Sequence, residues 1–267
     1  MTTRTNQGTA LITGASSGIG AVYADRLASD GYDLILVARS AGKLRDRAQT
    51  LTNRWGRSVE TIAADLTQPT DLARVADVLK TDASITMLVN NAGVGATAPL
   101  LESDLGEMDQ LITLNVNALT HLAHAAATAF VARGSGVIIN VASVVAIAPE
   151  LLNSVYGASK AFVLALSQAL QHELADKGVR VQAVLPGATA TDFWDAAGTP
   201  VDQLPQDIVM TADDLVDAAL AGLRQGEAVT IPSLPDSADW EAFEHARKAL
   251  APNLSRSTAA ARYNVAG

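Results

Sequence analysis

The 267-residue chain contains no cysteine. That excludes disulfides, thiolate metal sites and a cysteine nucleophile. It is also short of positive charge, with 19 basic against 28 acidic residues and a formal net charge of −9. Such a balance argues against general binding to nucleic acid or an anionic membrane, while leaving room for a local basic pocket that takes a phosphate. No apolar run reaches the roughly 20 residues of a membrane span. The start, "MTTRTNQGTA", lacks the apolar core of a signal peptide. A soluble, cytoplasmic protein is expected. Internal repeats and low-complexity linkers are missing too.

What is present is a globular composition, 49% hydrophobic and 18% charged, long enough for one sizeable core and read as a single domain over 1–267. Short β-branched runs punctuate the chain: "TALIT" (9–13), "DLILVA" (33–38), "SVETIA" (58–63), "TMLVN" (86–90), "GVIINVA" (136–142), "VRVQAVL" (179–185) and "EAVTI" (227–231). All but the last precede a connection long enough for a helix. The alternation predicts an α/β fold, a doubly wound, seven-stranded parallel sheet with helices on both faces. One connection, Pro186 to Asp214, is too long for a turn and predicts a lid over a binding site at about 188–212. From about 233 a polar, partly helical tail follows.

The first strand runs into "TGASSGIG" (13–20) and then a helix. Gly14, Gly18 and Gly20 permit a tight turn and close backbone approach to a pyrophosphate, and the helix start offers N–H groups and a positive dipole end. Ser16 and Ser17 add hydroxyls. The spacing G-x3-G-x-G departs from the commoner dinucleotide fingerprint. The second strand ends in Ala38-Arg39 with no acid there for ribose hydroxyls, and Asp33 lies at the wrong end of it. Arg39, with Ser40 and Lys43, suits a 2′-phosphate; the alternative is a solvated arginine opening a surface helix. NADP(H) is therefore preferred, with NAD(H) possible. Asp65 and Leu66 stand where an adenine edge would lie, although Asp65 equally suits a capped turn. In "NNAGVG" (90–95), Asn90 reads as a tie between strands and Asn91 as a cofactor contact.

In "SVYGASKAF" (154–162), Tyr156 and Lys160 share one face of an alanine-rich helix. The pair alone reads either as a snorkelling lysine beside a half-buried tyrosine or as a catalytic phenol tuned by an ammonium. The rest of the chain decides between them. TGxxxGIG (13–20), Asp65-Leu66, NNAG (90–93), Asn115 in "TLNVNA", Ser143 ending the fifth strand, YxxxK (156–160) and PGxxxT (186–191) occur together and in order. From about Thr9 to Thr191 the chain resembles the short-chain dehydrogenase/reductase family.

The resemblance implies a hydride-transfer enzyme interconverting a ketone or aldehyde and a secondary alcohol. Tyr156 would be the acid/base and Lys160 would hold the nicotinamide ribose. Ser143 would bond the substrate oxygen, and Asn115 would position a water linked to Lys160. It extends the cofactor set to Ile19, Ala92, Gly93, Pro186, Gly187, Thr189 and Thr191, with Thr189 departing from the branched apolar residue common in relatives. Bringing a phenol from pKa ~10 to near 7 needs about 4 kcal/mol, roughly what one ammonium about 4 Å away supplies at an effective dielectric of 20. Phe193 and Trp194 divide between lid packing and apolar substrate contact. His121 and His124 lack a third ligand, so no metal is expected. Two alanine-rich helices that pair across subunits in relatives imply a homodimer or homotetramer. The alternatives are a 3-oxoacyl-thioester reductase, weakly disfavoured by the acidic balance, and a non-catalytic NADP sensor.

Overall fold

In the computed structural model, which describes residues 7–263, the predicted runs become strands whose alternate residues face two separate cores. The strands are β1 (Thr9–Thr13), β2 (Asp33–Ala38), β3 (Val59–Ala63), β4 (Ile85–Asn90), β5 (Gly136–Val141), β6 (Val179–Val184), β7 (Thr189–Ala190), β8 (Met210–Thr211) and β9 (Val229–Thr230). Seven of them form one parallel sheet in the order β3-β2-β1-β4-β5-β6-β9. Ile12, Leu34, Leu36, Val89 and Ile139 point into one core, and Leu11, Ile35, Val37, Leu88 and Ile138 into the other. This is the period-2 alternation of a sheet covered on both faces.

Helices α1 (Gly18–Ser29) and α2 (Ala41–Trp55) close the first core; α3 (Pro69–Thr81) closes part of the second. Helix α4 (Leu105–Ile112) passes through a single π turn, Thr113–Ala118, into α5 (Leu119–Arg133), which joins α3 and α6 (Ser154–Leu174) on the second face. Such π turns inside helices are frequent at functional sites. After β6 comes the long connection. It is built rather than bare: β7 and β8 pair in parallel, and α7 (Phe193–Ala197) lies between them. Helix α8 (Ala212–Gln225) returns to the first face.

The order reverses between β1 and β4, so the connections after these two strands diverge and leave a crevice at their carboxyl ends. Beside it, Asn90 and Asn140 are direct partners in the β4–β5 register. The Asn90 amide donates to Asn140 Oδ1 at 3.0 Å, and the Asn140 amide donates to Ser167 Oγ on α6 at 3.0 Å. Asn90 thus ties strands together, and the tie continues into the helix that carries Tyr156.

The chain divides into two compact units at Pro232/Ser233. The second holds α9 (Ser237–Ala249), which buries none of its residues and stacks the Trp240 and Phe243 rings at 5.4 Å. Among the described residues no helix is long and apolar enough to cross a membrane, and no cluster of metal-ligating side chains occurs.

Candidate active site

The crevice begins at Thr13, whose hydroxyl sits between the ends of β1 and β4. It accepts from the backbone N–H groups of Asn91 and Ala92, both at 3.0 Å, and donates to the Val89 carbonyl at 3.3 Å. The Asn91 side-chain amide donates to the carbonyls of Thr13 (2.9 Å) and Gly14 (3.3 Å). Gly14 adopts φ +67°, and a Cβ there would lie 2.7 Å from that amide nitrogen. The glycine turn is therefore strapped to the NNAG segment, and Asn91 does the strapping. Ser17 precedes α1 without a side-chain capping bond, and the first turn of the helix has no acidic residue. Its opening N–H groups, Ile19 included, face a site suited to an anion.

At the end of β2, Arg39 is exposed and makes no hydrogen bond or ion pair with the described residues. Ser40 caps α2 by accepting from Lys43 N at 3.4 Å. Asp65 Oδ1 accepts from the N–H (3.0 Å) and hydroxyl (2.7 Å) of Thr67, so one carboxylate oxygen holds a capped turn. Leu66 buries its side chain in the second core.

On the other side of the crevice, Asn153 starts α6. Its Oδ1 accepts from Val155 N (2.9 Å) and Tyr156 N (3.1 Å), while its amide donates to Ala98 O (2.6 Å) and Ser103 Oγ (3.0 Å). One turn on, the Lys160 ammonium is buried, donates to the Val141 carbonyl at 3.0 Å and lies 5.8 Å from the Tyr156 ring centre. Ser143 stands near enough to the Tyr156 phenol to ease its ionisation, while its own hydroxyl accepts from Val145 N at 3.3 Å. Val94, Ala96, Leu111, Val145, Leu152 and Phe193 pack around that phenol. The Ser143, Tyr156 and Lys160 side chains thus meet beside an apolar bowl.

Burial governs both titrations. It pushes the Tyr156 phenol up to about 12, with Ser143 opposing, and pulls Lys160 down to about 8. The expected acidification of the phenol by Lys160 alone is thereby corrected. The lysine is not among the causes that shift the phenol; burial, the largest, and Ser143 are. At neutral pH the phenol is a protonated donor beside a charged lysine.

Asn115 lies in the π turn, where its Oδ1 accepts from Val94 N at 3.0 Å. Its amide protons go to Val94 O (2.9 Å) and Ser159 Oγ (3.2 Å). The side chain therefore holds the loop after β4 and, through Ser159, the backbone of Tyr156 (2.8 Å). Both of its donor positions have partners within the protein. Gly93 fits between the two side chains: a Cβ there would lie 3.1 Å from Asn115 Oδ1 and 3.6 Å from Lys160 Nζ.

Pro186 and Gly187 lead out of β6, and the Pro186 carbonyl accepts from Ser143 Oγ at 3.4 Å. The Thr189 hydroxyl donates to Gly187 O at 3.1 Å. Thr191 leans over the glycine turn, where a Cβ on Gly18 would meet its Cγ2 at 3.2 Å, and its hydroxyl accepts from Phe193 N at 3.4 Å. The two aromatic residues part ways. Trp194 is buried and donates its indole N–H to Thr189 O at 3.0 Å, the packing alternative. Phe193 turns toward the phenol, with ring centres 5.9 Å apart. His121 and His124 stay exposed on α5.

Sequence reasoning missed Thr13, Asn153, Ser159 and the backbone of Gly95, discussed below. Asn153 was detectable as an asparagine just ahead of a helix start. The others carry no local signal, because their roles arise from contacts between distant segments.

The depressed Lys160 value makes a stability prediction. Between pH 8 and 10.5 the unfolded chain holds a proton that the folded chain lacks, so stability rises with pH across that window. Below pH 8 the folded state carries the buried ammonium at a cost of about 3 kcal/mol. Lys160→Met should therefore be more stable than the parent at pH 7 by about 1–3 kcal/mol, after loss of the Val141 bond. The gap should close by pH 9.5. Urea unfolding of both proteins at the two pH values checks this; a parent that is the more stable at pH 7 contradicts it.

A family model described as short chain dehydrogenase matches residues 8–201. An uncharacterised oxidoreductase of Staphylococcus epidermidis is 31% identical over 226 residues, 83% of this chain and 93% of its own. A short-chain dehydrogenase from Sphingobium yanoikuyae, solved in complex with NADPH, is 50% identical and superposes with a TM-score of 0.92 over 95% of this chain and 98% of that one. An alcohol dehydrogenase from Comamonas testosteroni, described as specific for bulky-bulky ketones, is 45% identical, with a TM-score of 0.89 over 97% and 99%.

Proposed function

The chain belongs to the short-chain dehydrogenase family, and on that premise we propose that it is an NADP(H)-dependent oxidoreductase interconverting ketones and secondary alcohols. The observation that carries this reading is the Tyr156 phenol inside an apolar bowl, with Ser143 beside it and the buried Lys160 ammonium 5.8 Å from its ring centre. The residues fit the cofactor: a glycine turn with no room for a Cβ, an acid-free helix start and an exposed Arg39 at the end of β2 that no described residue engages. The NADPH complex of the Sphingobium relative supports the same choice.

When bound, the nicotinamide supplies the hydride for reduction or accepts it in oxidation. The protein's own residues handle the rest. Ser143 holds the carbonyl oxygen beside the phenol. Tyr156 delivers its proton to that oxygen as charge develops there, leaving a phenolate that solvent reprotonates. The Lys160 ammonium, held at Val141 O, lowers the energy of that phenolate. In the reverse direction the phenolate takes the alcohol proton. The aliphatic and aromatic walls suit an uncharged ketone with apolar groups on both sides, in keeping with the Comamonas relative.

NADPH oxidation followed over small, aryl and bulky ketones, with a 3-oxoacyl thioester alongside, tests the assignment. Faster turnover of aryl or bulky ketones than of acetone or the thioester is expected. Failure to oxidise NADPH with any ketone would overturn it.

A further inference from the structure

Gly95 has an ordinary backbone conformation, outside the positive-φ set. Nothing in its torsions calls for glycine, so the reason must lie in what surrounds it. A Cβ there would meet the Phe193 ring head-on, 2.8 Å from Cε2 and 2.9 Å from Cε1, and closer still to Cζ. The two segments cannot simply drift apart. Thr97 donates to the Ala197 carbonyl through its hydroxyl (2.8 Å) and its backbone N–H (3.2 Å), and a further hydroxyl contact joins it to Thr199 at 3.1 Å. Phe193 is anchored too. Its ring meets that of Trp194 edge-on at 5.8 Å, and the indole is held by Thr189. The movable part is the ring itself, whose centre lies 5.9 Å from that of the Tyr156 ring.

We propose that Gly95 and Phe193 form one specificity device: the bare Gly95 backbone seats the Phe193 ring against Tyr156 and so limits the size of the substrate group on the α7 side. This rests on the ketone reading above and names what bounds the site. A side chain at position 95 swings the ring off its seat toward the phenol or out of the bowl. Removing the ring opens the α7 side by the volume of a phenyl group, and Gly95 then tolerates a methyl. Hydrophobic pockets discriminate by about 10- to 200-fold per added methylene, so the limit is readable in kinetics.

The test is a double-mutant cycle of the parent, Gly95→Ala, Phe193→Ala and the double variant. Urea unfolding reads the seat without any substrate. Gly95→Ala should lower the unfolding midpoint clearly in the parent and hardly at all in the Phe193→Ala background. The ratio of kcat/KM for an aryl isopropyl ketone to that for the matching methyl ketone reads the size limit. It should rise at least about 10-fold in Phe193→Ala. Gly95→Ala should move the ratio in either direction by several-fold, and the double variant should match Phe193→Ala. Equal destabilisation by Gly95→Ala in both backgrounds overturns the seat. A ratio unmoved by Phe193→Ala overturns the size limit while leaving the ketone reading intact. Absence of ketone turnover in all four proteins removes the ketone reading and the size limit together, and the unfolding cycle still decides the seat.

Discussion

Tyr156→Phe should lower ketone reduction by at least 100-fold while leaving NADPH affinity nearly unchanged. Among the side chains around the bowl, the phenol alone combines a retained proton at neutral pH with a place beside Ser143. Proton transfer from a positioned acid contributes about 10²- to 10⁴-fold, and the lower end is the conservative expectation. Phenylalanine preserves the ring that packs against Phe193 and the backbone held by Asn153, so the fold should survive. Single-turnover reduction and NADPH titration by fluorescence separate chemistry from binding. Retention of a tenth of parental turnover would remove Tyr156 from the mechanism.

The second large effect concerns the cofactor. The parent should favour NADPH over NADH by roughly 10- to 150-fold, the worth of one charge-assisted guanidinium–phosphate contact. Arg39 is placed for it, exposed at the end of β2 and unengaged by the described residues. No second cation is available between Gly14 and Ser17, which places the value toward the lower end. Ala38→Asp combined with Arg39→Leu should reverse the order, by adding an acceptor for ribose hydroxyls and removing the phosphate's partner. The measurement is kcat/KM for both cofactors in both proteins. A parent that favours NADH, or a variant that keeps the NADPH preference, leaves Arg39 as a solvated surface residue.

Strands buried on both faces were the easiest part to read. β1 and β2 begin and end where their apolar runs do, because every residue of such a strand is paired and covered. At the sheet edge the signal fails: "EAVTI" yields only the two residues of β9 that pair with Ala183 and Val184. The lid's inner structure was not legible either, since two-residue strands and a five-residue helix have no period to detect. For the candidate site, motif spacing located the residues but not the atoms they engage. The Asn115 amide faces Val94, the Asn91 amide faces the glycine turn, and the phenol's affinity for its proton follows from burial. Those are tertiary facts, decided by which segments meet.

The paired amides of β4 and β5 guard against an error that apolar strands invite. "MLVN" and "VIIN" could slide past each other by two residues and still present greasy side chains to both cores. Such a slip would carry Ser143 about 7 Å along the sheet, beyond reach of the Tyr156 phenol, with little change in buried apolar area. The Asn90–Asn140 contact, continued to Ser167, favours the correct alignment, because a slipped pair would take these amide donors away from their partners among hydrocarbons. A chain with leucine at both positions would lose this polar preference for one alignment.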